Sequence, residues 1–472
     1  MEICMKRLFC FLGLAVAVSV ADAAPVYHPP GSNLTSGDVS NGQSIMSDIT
    51  NPAASAVQLK SDGAHVQFGL VSNIGIGIEY GQVDNVFDVI DEKAKAYSDG
   101  LTVSLPTFTG NPTNSTDVSQ YIAAIQQAID VPVADINSVL TTVAADGYGK
   151  IFGSMNLPLM PIVVGNDFLA GVLVFDASAS VATKAVGLYD SIDIDFADVQ
   201  AQLLNGNTVL DLGEVDLDLS NPSAPIMKVN NDTTLLTRAA GVNEFALGYS
   251  RQLFRHEAGD LFGGLRAKYY RVGMTQVATR LGNLTDAAQL FQNARDASFN
   301  YDSNIGLDLG VLWVSGNYRL GATMMNLNAP TFTFPGLDVS GYSGGPIARL
   351  LAQDYVYKME AQLKLEAALF SSNRQWAINA GLDANAVPDP FGDDYQWMTL
   401  SAAYLTDGWW IPGARVGYRA NLAGEEMNYV TLGVTLFKVF NVDLAMALNE
   451  VTINGNQVPR GAMLNMGLEL SF

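Results

Sequence analysis

Leu464-Asn465-Met466-Gly467-Leu468-Glu469-Leu470-Ser471-Phe472 closes the chain and decides how the rest is read. Every second residue is apolar: Leu464, Met466, Leu468, Leu470 and Phe472. Between them stand Asn465, Gly467, Glu469 and Ser471. A period of two belongs to the β-strand, whose successive side chains point to opposite faces. A soluble sandwich strand alternates as well. In a membrane barrel the apolar face meets lipid and the polar face lines a lumen.

The same period recurs upstream. Phe245, Leu247 and Tyr249 alternate with polar or small residues, as do Leu261 to Tyr269, Ile305 to Trp313, Met359 to Ala367, Ala414 to Ala420, and Val430 to Leu436. Three features favour a barrel over a sandwich. The polar partners are charged in runs, which suits a wide, wet lumen: Lys358, Glu360, Lys364, Glu366, Arg415 and Arg419 are expected to face it. They pair there with one another or with a plug; a role in solute selectivity is the sharper alternative. Aromatic residues gather near strand ends (Tyr395, Trp397, Tyr404, Trp409, Trp410, Tyr429, Phe437, Phe440), as membrane girdles do. Short Asn, Asp and Gly turns join several late strands. On this reading arginine should be resisted at the lipid-facing Leu468 and accepted far better at the lumen-facing Glu469.

Composition agrees. The chain is 49% hydrophobic and only 15% charged. No run of about 18 apolar residues follows Val20, so spanning by helix is not expected. At the N-terminus Lys6 and Arg7 precede an apolar run from Leu8 to Val20 and an Ala21-Asp22-Ala23 cleavage site, so residues 1–23 read as a signal peptide. Cys4 and Cys10 both lie in this leader, leaving no disulfide or thiolate chemistry after cleavage. Loss of Glu2, Lys6, Arg7 and Asp22 removes both signs equally, so the net charge stays at −22. An acidic chain without a basic block has nothing to neutralise phosphates, which excludes direct nucleic-acid binding. His28, His65 and His256 stand far apart and none has a partner at metal-ligand spacing. With no nucleophile elbow or phosphate loop either, no metal, cofactor or catalytic activity is expected; an outward-facing Ser or Asp nucleophile is the one remaining hydrolase reading.

The chain divides into an aperiodic, Gly-, Asn- and Pro-rich segment, residues 24–63, and a barrel, residues 64–472. An aperiodic segment cannot cross lipid with unpaired backbone. It is a plug within the lumen or a disordered leader, and Ile45, Met46 and Ile49 favour a packed turn. The first strand runs from Ala64 to Tyr80. A helical insert follows over residues 82–146, with helices at Phe87 to Tyr97, Thr116 to Ala128 and Ala134 to Ala144, the last two separated at Pro132. It is a hairpin burying its own small core, or a lid. In the acidic stretch from Asp190 to Leu219, Asp193, Asp195, Asp216 and Asp218 alternate with apolar residues. That pattern reads as a solvated strand face; clustered carboxylates leave calcium as the alternative. A short helix is expected over Thr285 to Ala294, and Pro330 to Arg349 reads as a long loop.

Asn33-Leu34-Thr35-Ser36-Gly37-Asp38-Val39-Ser40-Asn41-Gly42-Gln43, followed by Asn51-Pro52-Ala53-Ala54, resembles the N-terminus of the conjugal transfer TraF family of the FadL-like outer-membrane group. The resemblance implies an all-β transmembrane fold: a closed antiparallel outer-membrane barrel of roughly fourteen strands (about twelve to sixteen), plugged by a hatch that carries Asn51, Pro52 and Ala53. It implies a component of, or accessory to, plasmid transfer, with the conjugation apparatus as partner. The alternative is a FadL-like channel for small or hydrophobic solutes. The ending also resembles the terminal Phe signature of bacterial outer-membrane proteins, so Phe472 is expected to be read by the barrel assembly machinery, with outer-membrane lipid as the surroundings.

Overall fold

The computed structural model describes residues 33–37, 39, 44–57, 66–108, 115–166, 170–284, 289–406 and 408–471. The expected signal peptide, His28, His65 and Phe472 lie outside them. Fourteen antiparallel strands form the wall: β1 Val66–Tyr80, β2 Tyr148–Asn156, β3 Gly171–Leu188, β4 Thr234–His256, β5 Gly259–Arg280, β6 Asn300–Val314, β7 Tyr318–Met325, β8 Gln362–Phe370, β9 Trp376–Asp383, β10 Trp397–Tyr404, β11 Gly413–Asn421, β12 Asn428–Leu436, β13 Phe440–Ala447 and β14 Gly461–Ser471. Each pairs with the next, and β14 returns to β1 from Gly461↔Glu79 to Ser471↔Gln67. The ring is closed and has no free edge. A short strand, Ile162–Asn166, joins the wall where β2 stops, pairing with Val66–Phe68 of β1 and with β3.

The alternation has the expected orientation. On β12 Val430, Leu432 and Val434 are exposed, while Tyr429 and Thr431 are buried. On β5 Leu265 and Tyr269 face out and Arg266 and Lys268 face in, buried. An exposed apolar face around a closed ring is the face that lipid covers. At one end the connections are short: Glu257-Ala258 joins β4 to β5, and Phe437 to Val439 joins β12 to β13. At the other end they are long, and in outer-membrane barrels that end is extracellular.

A cap stands on the long-loop end. Strands β4 and β5 are 23 and 22 residues long, about twice what a tilted strand needs to cross a bilayer. Their outer halves continue beyond the wall, where Leu235 joins the cap core. Helix α1, Val86–Ser98, and helix α2, Ser115–Asp146, pack there with a four-stranded sheet of Leu101–Thr102, Ile226–Val229, Val215–Asp218 and Val209–Asp211. The expected split at Pro132 does not occur. Proline removes one helical hydrogen bond and crowds the preceding turn. Here the stripe Ile125, Ile129, Val133, Ile136, Leu140 and Val143 runs across it into one core and holds α2 continuous. By length and composition alone α2 also reaches what a membrane-spanning helix needs. Its buried stripe places it in the cap.

The acidic stretch is part of this cap and not of the wall. Its strands alternate because the small sheet also buries one face: Leu210, Val215 and Leu217 are buried. Two of its carboxylates cap their own turns, Asp195 accepting from the Ala197 amide at 2.8 Å and Asp218 from the Ser220 amide at 2.8 Å. The segment expected as a long loop, Pro330 to Arg349, instead holds the strand Thr331–Phe334, which pairs with Tyr355–Lys358 just beyond it, and most of a helix, Pro346–Ala352; the short helix before it spans Gln289–Asp296.

Two outcomes follow. Leu432→Arg places a charge on the lipid face in mid-strand and should cost about 2–4 kcal/mol of barrel stability, read as reduced heat-modifiable mobility on gels. Replacing Asp193, Asp195, Asp216 and Asp218 with Asn should leave the melting temperature as insensitive to calcium as in the parent; a calcium-dependent rise in the parent, lost in the variant, would mark a metal site in the cap.

Candidate functional site: the plugged lumen

Leu34 to Gly37, Val39, Ser44 to Ser47 and Ile49 to Val57 lie buried within the ring, and several are bonded to its inner face. Their contact with the wall is best defined at Asn51-Pro52. Gly264 of β5 and Gly310 of β6 stand opposite each other in register. A Cβ on Gly264 would lie 2.1 Å from the Pro52 carbonyl oxygen, and one on Gly310 would lie 2.3 Å from Asn51 Oδ1. The two glycines make a notch that only a bare backbone provides, and the Asn-Pro element sits in it. Asn51 Nδ2 donates to Glu366 Oε1 at 2.6 Å and to the Val311 carbonyl at 3.3 Å, while Asn51 Oδ1 accepts from the Ala53 amide at 3.0 Å. Ala53 and Ala54 then pack on Val172, Val174, Phe262 and Leu312.

Further bonds tie the segment round the ring. Arg266 Nη1 donates to the Ile49 carbonyl at 2.6 Å and Arg419 Nη1 to the Leu34 carbonyl at 3.3 Å. Ser44 Oγ and the Ile45 amide donate to the two oxygens of Glu469 at 3.1 and 2.7 Å, and the Thr35 hydroxyl donates to Asp443. The Ala56 amide donates to Ser250 Oγ at 3.1 Å.

The six charged residues read from the sequence therefore divide. Glu366 and Arg419 hold the plug. Arg415 pairs with Asp443 at 2.9 Å, the carboxylate that also takes Thr35. Lys364 stands 3.8 Å from Asp383. Lys358 and Glu360, just before β8 begins, pair with each other at 3.0 Å, half-exposed, and Glu360 with Lys364 lines a cavity of the lumen. The lumen at the level of the plug is not wet as expected: Glu366, Arg415, Arg419 and Glu469 are all buried. Glu469 also accepts from Asn441 Nδ2 at 2.9 Å. Arginine at position 469 would set a cation against the donors Ile45, Ser44 and Asn441, so the tolerance expected there is corrected.

Residues that carried no site reading complete the arrangement. Arg266 pairs with Asp176 at 2.9 Å and Glu244 at 2.6 Å, and Lys268 with Asp308 at 2.8 Å, all buried. Their signal was present, since Arg266 and Lys268 occupy the polar positions of a strongly alternating strand. A second closure lies above the plug. The loop joining β9 to β10, residues 384–396, folds inward and reaches β2 and β3, seven places round the ring. Lys150 of β2 donates to Asp389, to Asp393 at 3.0 Å and to Tyr395 Oη at 2.7 Å, and Lys184 of β3 pairs with Asp393. Burial raises the Asp389 carboxyl above its ordinary pKa. At Asp393 burial is outweighed by Lys150 and Lys184, which hold its pKa down. Between this strap and the plug lies a cavity of about 130 Å³, floored by Ile49 and Thr50 and bordered by Val387, Pro388 and Tyr395.

Gly310→Leu should overfill the notch, weaken plug docking by about 1–3 kcal/mol, and expose the N-terminal segment to protease while the barrel keeps its heat-modifiable mobility. Protection equal to the parent's would show that the Asn51-Pro52 contact does not hold the plug.

Solved structures similar to the chain include outer-membrane barrels. A TodX mutant, a monoaromatic hydrocarbon channel, is 11% identical, with 90% of this chain and 93% of that one covered and a TM-score of 0.39. A Pseudomonas aeruginosa FadL homologue is 11% identical over 96% and 98%, with a TM-score of 0.27. The outer-membrane phospholipase A from Escherichia coli is 11% identical over 86% and 98%, with a TM-score of 0.23. No curated protein matches the chain in sequence. The family described as "F plasmid transfer operon, TraF, protein" matches residues 48–383, from the middle of the plug to the end of β9. A closed fourteen-strand barrel plugged by its own N-terminal segment, matched over most of its length by that family, identifies this outer-membrane protein as a member of the TraF family.

Proposed function

We propose that the protein is a passage for small solutes across the outer membrane, closed in this state by its N-terminal segment. The observation that carries the reading is the manner of closure. The bore is not filled by the wall's own side chains, as in a narrow barrel. It is filled by a separate segment that packs apolar side chains on the wall and is tied round the ring by hydrogen bonds to inward-facing polar groups. Water can replace such bonds one for one when the segment leaves, so the net cost of each exchange is small. The strap from residues 384–396 forms a second closure on the extracellular side, with the cavity between the two.

A component of, or accessory to, plasmid transfer is the second reading. The family's description favours it, and the large cap on the extracellular end offers a surface to the conjugation apparatus. The two readings separate by experiment. Removing residues 25–63 should raise conductance in planar bilayers, and adding Lys150→Gln should raise it further by freeing the strap. Unchanged conductance in the combined variant, with the barrel formed, would sink the passage reading. A fall in plasmid transfer frequency on deletion of the gene, restored by a conductance-dead chain, would favour the second.

A further inference from the structure

Each charged residue on the wall of the cavity between plug and strap is already paired. Arg266 lies 2.6 Å from Glu244, Lys268 2.8 Å from Asp308, Glu360 3.0 Å from Lys358 and Lys364 3.8 Å from Asp383. An ion entering here would have to break one of these pairs or give up its water for no counter-charge. The wall therefore favours a neutral occupant.

Hydrogen-bond donors on the same wall are less completely matched. Asn326, in the turn after β7, accepts from the Tyr270 hydroxyl at 2.8 Å through Oδ1, and its Nδ2 has no acceptor among the described residues. The Tyr357 hydroxyl makes no hydrogen bond among the described residues either. Arg266 Nε has no partner, although the side chain is only 4% exposed. Phe332 ties two of these elements together: it lies edge-on to Tyr270, ring centres 6.2 Å apart, and stacks on Tyr357 at 6.1 Å. A buried donor left unbonded is costly and therefore uncommon; three on one cavity, from three separate elements, call for oxygen acceptors. The same wall carries the apolar side chains of Ile49 from the plug, Met325, Met359 and Pro388. A cavity of about 150 Å³ holds a benzene ring, so the volume of about 130 Å³ admits one six-membered ring, and the half-exposed Glu360 stands at its mouth.

We propose that this cavity binds a neutral, oxygen-rich ring of monosaccharide size. Its hydroxyl and ring oxygens accept from Asn326 Nδ2, Tyr357 Oη and Arg266 Nε, and its C–H face lies on Met325 and Met359. A hydroxyl can take the place of each water that such donors hold, so little is lost on exchange. An alkyl chain would strip that water and return no bonds. Taking the ring as cargo rests on the passage reading; the binding itself does not.

The test uses the full chain purified in a zwitterionic, sugar-free detergent and titrated under saturation-transfer NMR. The probes are glucose, glucuronate and protonated glucosamine, three rings of one shape that differ in charge, with cyclohexanol as the ring stripped of most of its oxygens. Glucose should bind at least about tenfold more tightly than either charged ring and than cyclohexanol. Tyr357→Phe removes a hydroxyl that bonds nothing within the protein, so heat-modifiable mobility should be retained while glucose weakens about three- to tenfold and cyclohexanol does not. Asn326→Asp keeps the acceptor for Tyr270, removes the amide donor and should weaken glucose by a similar factor. Equal affinity for glucose and the charged rings, no saturation transfer to glucose, or glucose affinity undiminished in both variants would overturn the proposal. Glucose binding without glucose entry into liposomes carrying the plug-deleted barrel would support the site and overturn the passage reading alone.

Discussion

A carboxylate or guanidinium buried without partners is expensive, and the expense grows as water is withdrawn. The inner face of this barrel is full of such groups. Glu366, Arg419, Glu469, Arg266 and Asp443 are all buried, and each finds a bond to the N-terminal segment. A ring of fourteen strands is too wide for side chains alone to fill. Without the segment these groups would be hydrated; with it they are bonded to backbone and amide groups. The plug is thus the complement of the inner wall, and its placement depends on satisfying that wall.

The mixture of contacts matters for what the protein can do. Apolar packing of Ala53 and Ala54 on Val172, Val174, Phe262 and Leu312 gives the segment one anchored end. Leu34 packs likewise on Phe152, Ala182 and Tyr429, and between these apolar contacts the bonds to the wall are polar and exchangeable for water. The notch at Gly264 and Gly310 fixes register, since any side chain there would strike Asn51 or Pro52. Above the plug, the strap is held by a charge cluster centred on Lys150, 1% exposed in its side chain, so removing one partner would leave an uncompensated buried charge. The lumen is closed twice, by different physical means, with a chamber between.

The cap shows how far a strand pattern can mislead. Val215, Leu217 and Leu219 alternate with Asp216 and Asp218 as the residues of a wall strand do. Alternation reports that one face of a strand is buried; it does not report in which core. Val215 and Leu217 face the small core beneath α1 and α2, while Leu265 and Leu432 face outward toward lipid.

The closed barrel, the outward set of residues and the presence of a plug were legible in the sequence. The first two follow from the two-residue period of a strand; the plug follows from the absence of period in a segment that cannot cross lipid together with the resemblance carried by Asn-Pro-Ala. The sequence also placed Lys364, Glu366, Arg415 and Arg419 on the inner face. Only the tertiary structure decided what they meet. Glu469 bonds Ile45, Arg419 bonds Leu34 and Asp389 reaches Lys150, each across hundreds of residues. The periodicity of a strand fixes which way a side chain points, and has no term for the distant segment that comes to lie against it.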